Sequence, residues 1–110
     1  RNMKKGRNID IIRNVKIIEW LKCELLTSIA KLFELLAKGV ENTKDDILDI
    51  ISNVILVSYL LGKRLGLSYE TINLKVENKI KLGMIEEHKI EKWYGDLSEL
   101  NENFSNRRGE

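Results

Sequence analysis

The chain has 110 residues, enough for one domain of ordinary size. Apolar residues make up 43% of it and charged residues 33%, a balance typical of globular and not of disordered proteins. Its 19 Lys and Arg residues oppose 17 Asp and Glu residues, and this even balance gives no reason to expect nucleic-acid or membrane binding. A single cysteine, Cys23, excludes an internal disulfide and a zinc site made of thiolates.

The ends of the chain are polar. Residues 1–8 and 105–110 are predicted to be disordered tails around one helical domain at residues 9–104. The first ten residues are basic, with no apolar segment behind them, so we expect no secretory signal and a cytoplasmic location.

The first predicted helix covers residues 9–38, where apolar residues recur at helical spacing and Gly39 provides a stop. This segment is expected to form either one long helix or a short helix followed by a longer one, with a break near residues 19–22. The second helix is predicted at residues 44–64, with Thr43 and Asp46 as a capping box. Its middle is apolar on almost every side, which indicates a central helix or a subunit interface more than a lipid-facing one.

Three shorter helices are predicted after Ser68, at residues 69–82, 86–94 and 96–104. Gly83 and Gly95 are taken as the stops of the first two. The chain contains no proline, which favours long helices. We therefore predict an all-α antiparallel bundle of four to five helices. The second helix has more apolar surface than one small subunit covers, so we also expect a homodimer or homotetramer.

Acidic residues at the start of the second helix are the first candidate site. Asp46 and Asp49 lie three residues apart on one helical face, and Asn53 continues that face by one turn. Two carboxylates at this spacing suit a hard cation such as Mg²⁺. Acidic residues in a first turn also simply stabilise a helix. Asp49 lies past that turn among apolar residues, so we expect it to be buried and to need a partner.

The first helix offers a second set of polar residues. Glu24, Ser28 and Lys31 share one face with Leu35, while Glu34 is expected to point elsewhere. A solvated helix face is the alternative interpretation of the same residues.

These two helices resemble the MazG-like branch of the all-α nucleoside triphosphate pyrophosphatases. The similarity covers residues 21–36 and 45–66, and extends to residues 79–83 and 86–100. In that superfamily one helix carries Glu-Glu-x-x-Glu and the next carries Glu-x-x-Asp. The resemblance implies that these carboxylates hold Mg²⁺, which binds a nucleoside triphosphate and activates water to release a nucleoside monophosphate and pyrophosphate.

Only the second motif matches, as Asp46-x-x-Asp49. The positions of the first motif fall on Thr27, Ser28 and Lys31, which are poor metal ligands. Lys31 is expected to pair with Asp49 or Asp46 and to replace the cation. If the chain is active, the resemblance implies Mg²⁺ at Asp46, Asp49 and Glu24, or with help from a second subunit; if not, no cofactor is expected.

Two hypotheses on function result. The first is a MazG-like protein with a degenerate metal site and weak or absent hydrolysis, and the second is an active Mg²⁺-dependent pyrophosphohydrolase. A nucleotide is the expected ligand in both, with Asn53, Lys31 and Lys79 as candidate substrate-binding residues. No nucleic-acid or membrane partner is expected.

The other reactive or aromatic side chains are expected to have structural roles. His88 is expected on an exposed helix face, and Cys23 is expected to pack among apolar residues. Trp20, Trp93 and Tyr94 are expected in the core, with stacking on a nucleobase as the alternative.

Overall fold

The computed structural model describes residues 2–39, 44–86 and 89–109, and the side chains of residues 9–39, 44–86 and 89–107. Within these ranges the chain forms five helices and no strand. The helices are α1 (Asn2–Lys38), α2 (Lys44–Arg64), α3 (Tyr69–Ile85), α4 (Lys89–Tyr94) and α5 (Asp96–Gly109). The prediction of an all-α fold is confirmed, and α1 is the single long helix of the two alternatives.

Most predicted helix boundaries agree with the structure. The exceptions are a helix end predicted at a glycine and the outer ends of the first and last helices. The predicted stop at Gly83 is wrong, because α3 continues through it to Ile85; an internal glycine weakens a helix without having to end it. Helix α1 starts at Asn2 and α5 reaches Gly109, both inside segments expected to be tails. The division into tails and a single domain stays a prediction. The proposed cap Thr43 and the lone histidine His88 lie outside the described residues.

The chain divides into two compact units, Arg1–Ser68 and Tyr69–Glu110. In the first unit α1 packs along α2, and in the second unit α5 packs against α3 and α4. None of the described helices has the length and apolar character needed to cross a membrane.

Two hydrogen bonds, one at an end of the α1–α2 pair and one near its middle, fix its antiparallel register. Asn14 Nδ2 of α1 donates to the backbone carbonyl of Arg64 at the end of α2, at 3.1 Å. Asn53 Nδ2 of α2 donates to Ser28 Oγ of α1, at 2.8 Å. Residues that follow Ser28 therefore lie beside residues that precede Asn53.

Helix α2 ends in a hydrogen-bonded turn that requires glycine. The Leu67 N–H donates to the Gly62 carbonyl at 2.9 Å, and the Gly66 N–H donates to the Lys63 carbonyl at 3.1 Å. Gly66 has a φ of 96°, a left-handed conformation that other residues adopt only with strain. The predicted stop of the second helix before Gly66 is thus confirmed.

The core of the first unit is small. Leu21 and Val57 are its buried apolar side chains among the described residues. Helix α2 is apolar all round, yet it is covered mainly on the side that meets α1. Other apolar residues of both helices are half-buried or exposed, and we call the following set of them the apolar face: Ile11, Val15, Ile18, Leu26, Ile29, Phe33 and Leu36 of α1, and Leu48, Ile51 and Ile55 of α2.

In the second unit, Glu91 of α4 caps the start of α5. Its Oε1 accepts a hydrogen bond from the Ser98 backbone N–H at 3.0 Å, and its Oε2 accepts one from the Ser98 hydroxyl. These bonds, that of the hydroxyl first, favour the ionised carboxylate and lower the pKa of Glu91 below its ordinary value of 4.5. Because the folded pKa is the lower one, the stabilisation is complete above the unfolded pKa and is lost as the pH falls through the folded value.

We expect Glu91→Gln to lower the urea midpoint of unfolding at pH 7, because a neutral amide accepts these hydrogen bonds more weakly than a carboxylate. The difference from the wild-type protein should shrink as the pH falls below 4.5, because Glu91 then takes up its proton in the unfolded chain before it does so in the folded one. Urea titrations followed by circular dichroism between pH 7 and pH 3 measure this. Glu102→Gln, at an exposed position of α5, is the control. An equal effect of both variants, or a Glu91→Gln effect that does not shrink at all between pH 7 and pH 3, would contradict the capping role.

Candidate functional site

A cleft of about 390 Å³ lies between α1 and α2 in the first unit. Four residues of α1 and three of α2 line it: Lys31, Glu34, Leu35, Lys38, Asp46, Asp49 and Ile50. Positions separated by three, four or seven residues share one side of a helix, which explains the α1 set. The cleft residues of α1 follow Ser28 and those of α2 precede Asn53, as the antiparallel register requires.

Three of the predicted site residues come together in this cleft. Asp46, Asp49 and Lys31 line it. Glu24 does not: the register places Leu32 level with Asp49, so Glu24 lies eight residues, or about 12 Å, further along the axis of α1.

The other two predicted substrate-binding residues lie elsewhere. Asn53 is half-buried and directs its amide to Ser28 instead of the cleft. Lys79 is exposed on α3, in the second unit.

Two expectations about Asp49 are wrong in the described chain. Its side chain is exposed and not buried, because a pair of helices covers only one side of each. Lys31 lines the same cleft but forms no ion pair with Asp46 or Asp49, whereas Lys22 on the same helix pairs with Glu19 at 3.1 Å. An exposed carboxylate needs no such partner, since water solvates it.

Four other side chains that were expected to pack inside the protein are exposed instead. Cys23 is exposed and is a free thiol. Trp20, Trp93 and Tyr94 are 59%, 67% and 74% exposed, so none of them belongs to the core of its unit. Helical spacing identifies one side of a helix but does not reveal whether anything covers that side.

Sequence reasoning missed two residues of the cleft. Glu34 was expected to point away, yet it lines the cleft beside Asp46 and Asp49. Lys38 lies one turn further along α1 and is also part of the lining. The spacing of Lys31, Glu34 and Lys38 is the signal that could have identified them, since it places all three on one side of the helix.

The charges of this cleft do not form the compact acidic site that the superfamily pattern requires. Glu34, Asp46 and Asp49 oppose Lys31 and Lys38, which leaves one net negative charge in the lining. No three His, Cys, Asp or Glu side chains of the described segments are grouped closely enough to hold a metal ion. Asp46 and Asp49 offer oxygen ligands, but Lys31 brings a cation to the same cleft. These residues therefore do not fit a tightly held Mg²⁺.

A model of the MazG-like family matches residues 11–97, which is most of the chain. The chain belongs to the MazG-like family. Its helical hairpin is thus the nucleotide pyrophosphohydrolase-like fold of that family, and the matched region includes every residue of the cleft. Searches of curated proteins and of solved structures found no match.

The hairpin places both segments with the superfamily motifs side by side. Ser28 is buried and bonded to Asn53, one turn beyond Asp49. Lys31 reaches the cleft itself, while Thr27 is exposed. The positions expected to carry glutamates in this family thus hold a helix–helix hydrogen bond and an ammonium group.

We expect Ser28→Ala and Asn53→Ala each to lower the free energy of unfolding by about 1–2 kcal/mol, because each leaves a polar group of the helix interface without its partner. The double variant should lose less than the sum of the two, by about 1 kcal/mol. Urea unfolding at one protein concentration measures all three. Ser52→Ala, at the exposed neighbouring position, should change the value by no more than about 0.5 kcal/mol. Strictly additive losses would mean that the two residues do not stabilise the pair together.

Proposed function

We propose that this MazG-like protein binds a nucleotide in the α1–α2 cleft and hydrolyses it weakly or not at all. The observation that carries the proposal is Lys31, whose ammonium group lines the cleft beside Asp46 and Asp49. A lysine at this position provides positive charge without a metal ion. An ammonium group has no ligand position for a water, so it cannot bind one and lower its pKa as a divalent ion does.

The cleft residues suggest how such a nucleotide would be held. Lys31 and Lys38 are exposed and lie on the same side of α1, where their ammonium groups can contact phosphate oxygens. The carboxylates of Glu34, Asp46 and Asp49 can accept hydrogen bonds from hydroxyl or amino groups of the nucleoside. Asn53 and Lys79 remain candidate contacts.

The alternative is an active Mg²⁺-dependent pyrophosphohydrolase. Glu34 favours it, because it brings a third carboxylate to the cleft that contains Asp46 and Asp49. A second subunit could supply further ligands. In this alternative the chain would release a nucleoside monophosphate and pyrophosphate.

The assay that separates the two is pyrophosphate release from a panel of nucleoside triphosphates with Mg²⁺ or Mn²⁺. We expect the wild-type protein to stay within about tenfold of the rate without protein, and Asp49→Asn to change nothing. Nucleotide binding measured by isothermal titration without divalent metal should still be detectable, and Lys31→Ala should weaken it. Turnover well above background that Asp49→Asn abolishes would establish the enzyme instead.

Mg²⁺ affinity provides a second test that does not depend on turnover. We expect Lys31→Glu to increase Mg²⁺ affinity at least tenfold, or about 1.4 kcal/mol, because the change removes a cation and adds a carboxylate beside Asp46 and Asp49. Lys16→Glu makes the same charge change at an exposed position of α1 outside the cleft and should have a much smaller effect. Isothermal titration of the apo protein measures both. Tight Mg²⁺ binding by the wild-type protein that Asp49→Ala removes would contradict the degenerate site.

The proposal includes the partners and the location of the protein. We propose a homodimer or homotetramer built from α1 and α2, since so many of their apolar side chains are exposed in one chain. A cytoplasmic location agrees with the free, exposed thiol of Cys23, which a reducing compartment preserves. Neither a nucleic-acid partner nor a membrane partner is part of the proposal.

A further inference from the structure

A second pocket, which we call the arginine pocket, lies at the other end of the α1–α2 pair from the cleft. Its volume is about 540 Å³, compared with 390 Å³ for the cleft, and small-molecule sites commonly have this size. Seven residues line it: Asp10, Ile11, Arg13, Asn14, Val15, Ile17 and Arg64. Arg13 precedes Lys31 by 18 residues, or about 27 Å along the axis of α1, and the two pockets share no lining residue. A small ligand in the arginine pocket therefore leaves the cleft free.

The end of α2 offers this pocket a guanidinium group and no open carbonyl group. The last four carbonyl oxygens of the helix, those of residues 61–64, all accept hydrogen bonds. Backbone N–H groups of residues 65–67 donate to the carbonyls of residues 61–63, and Asn14 Nδ2 donates to the Arg64 carbonyl at 3.1 Å. This pairing weakens the repulsion that an open helix C-terminus exerts on an anion.

The guanidinium groups of Arg13 and Arg64 have N–H donors to spare. Arg64 Nη1 donates to Asn14 Oδ1 at 3.4 Å, which ties this side chain to α1. Arg13 has no hydrogen bond or ion pair with any of the described residues. A guanidinium group has five N–H donors in one plane, and their spacing matches two oxygens of a phosphate group. Both arginines can therefore bind the same phosphate without breaking an ion pair.

The lining has a charged part and an apolar part. Around α1, Asp10 and Arg13 lie to one side of Asn14, and Ile11 and Val15 lie to the other. Together with Arg64, the charged residues leave one net positive charge in the lining. A phosphate monoester has a charge close to −2 and three acceptor oxygens, enough for two guanidinium groups, whereas a carboxylate has one charge and two oxygens.

We infer that the arginine pocket binds a phosphate monoester with an apolar body. Arg13 and Arg64 contact the phosphate oxygens, and Ile11 and Val15 contact the body of the ligand. Asp10 can accept a hydrogen bond from a hydroxyl or amino group on that body. The inference goes beyond the proposed function and does not depend on nucleotide binding in the cleft.

Phenyl phosphate and benzoate are matched probes, because they combine one phenyl ring with a phosphate or a carboxylate. Two-dimensional ¹H–¹⁵N NMR of the whole chain, at about pH 8 and constant ionic strength, follows each pocket separately. The side-chain amide of Asn14 reports on the arginine pocket, and the backbone amide of Lys31 reports on the cleft. We expect phenyl phosphate to shift the Asn14 signals and to bind there at least about tenfold more tightly than benzoate.

Three glutamine variants identify the groups that bind the phosphate. Arg13→Gln and Arg64→Gln should each weaken the affinity measured at Asn14 by at least about tenfold, because each removes charge-assisted hydrogen bonds. Lys16→Gln removes the same charge at an exposed position of α1 outside both pockets, and it should stay within about threefold of the wild-type value. Circular dichroism should show equal helix content in all three.

The same titrations can overturn the inference. Phenyl phosphate shifts confined to the cleft, around Lys31 and Lys38, would show that the arginine pocket does not bind phosphate. Equal losses from Arg64→Gln and Lys16→Gln would mean that only the general charge of the chain attracts the probe. Benzoate binding as tight as that of phenyl phosphate would overturn the choice of a phosphate monoester. Lys31→Ala should leave the affinity at Asn14 unchanged, so failure of the proposed nucleotide binding would be recognised separately.

Discussion

The register between α1 and α2 determines where every functional group of the first unit lies. The Ser28–Asn53 hydrogen bond holds it in the middle of the pair, and the bond from Asn14 to the Arg64 carbonyl holds it at one end. A shift by one turn would move residues about 5.4 Å along the axis and separate the carboxylates of α2 from Lys31. The hydroxyl of Ser28 is buried, so a shifted pair would also leave a polar group unsatisfied.

The helices could be predicted from the sequence because their signals are local. Gly66 and Gly95 end helices in the described chain, and both have positive φ, which makes glycine the favoured residue at these positions. Gly83 is also a glycine, but it lies inside α3. The two positions differ in the residues that follow them. The N–H groups of Gly66 and Leu67 donate to carbonyls of the last turn of α2 and so end the helix, whereas the residues after Gly83 continue α3.

The site was predictable only in part, because it depends on how two helices face each other. Asp46, Asp49 and Lys31 were expected to lie together, and all three line the cleft, but the expected ion pair of Lys31 with a carboxylate does not form. Glu24 was included for its position on a shared face of α1, although that face extends over several turns and only one of them lies level with Asp49. Glu34 was excluded by the same argument. The burial of Asp49 was expected from its apolar neighbours in sequence, but Leu48 is itself exposed and Ile50 lines the same cleft, and neither covers the carboxylate.

The exposure of the cleft explains why a lysine at position 31 does not destabilise the fold. An ammonium group in a buried acidic site would have to compensate for its lost hydration through good ion pairs. In an exposed cleft, water solvates Lys31, Asp46 and Asp49 separately, so the residue at this position has little effect on stability. Its effect on a divalent cation is much larger, because the ion carries two charges and needs several oxygen ligands at once. The fold of the family and its metal chemistry therefore depend on different residues, so the metal chemistry can be lost while the fold persists.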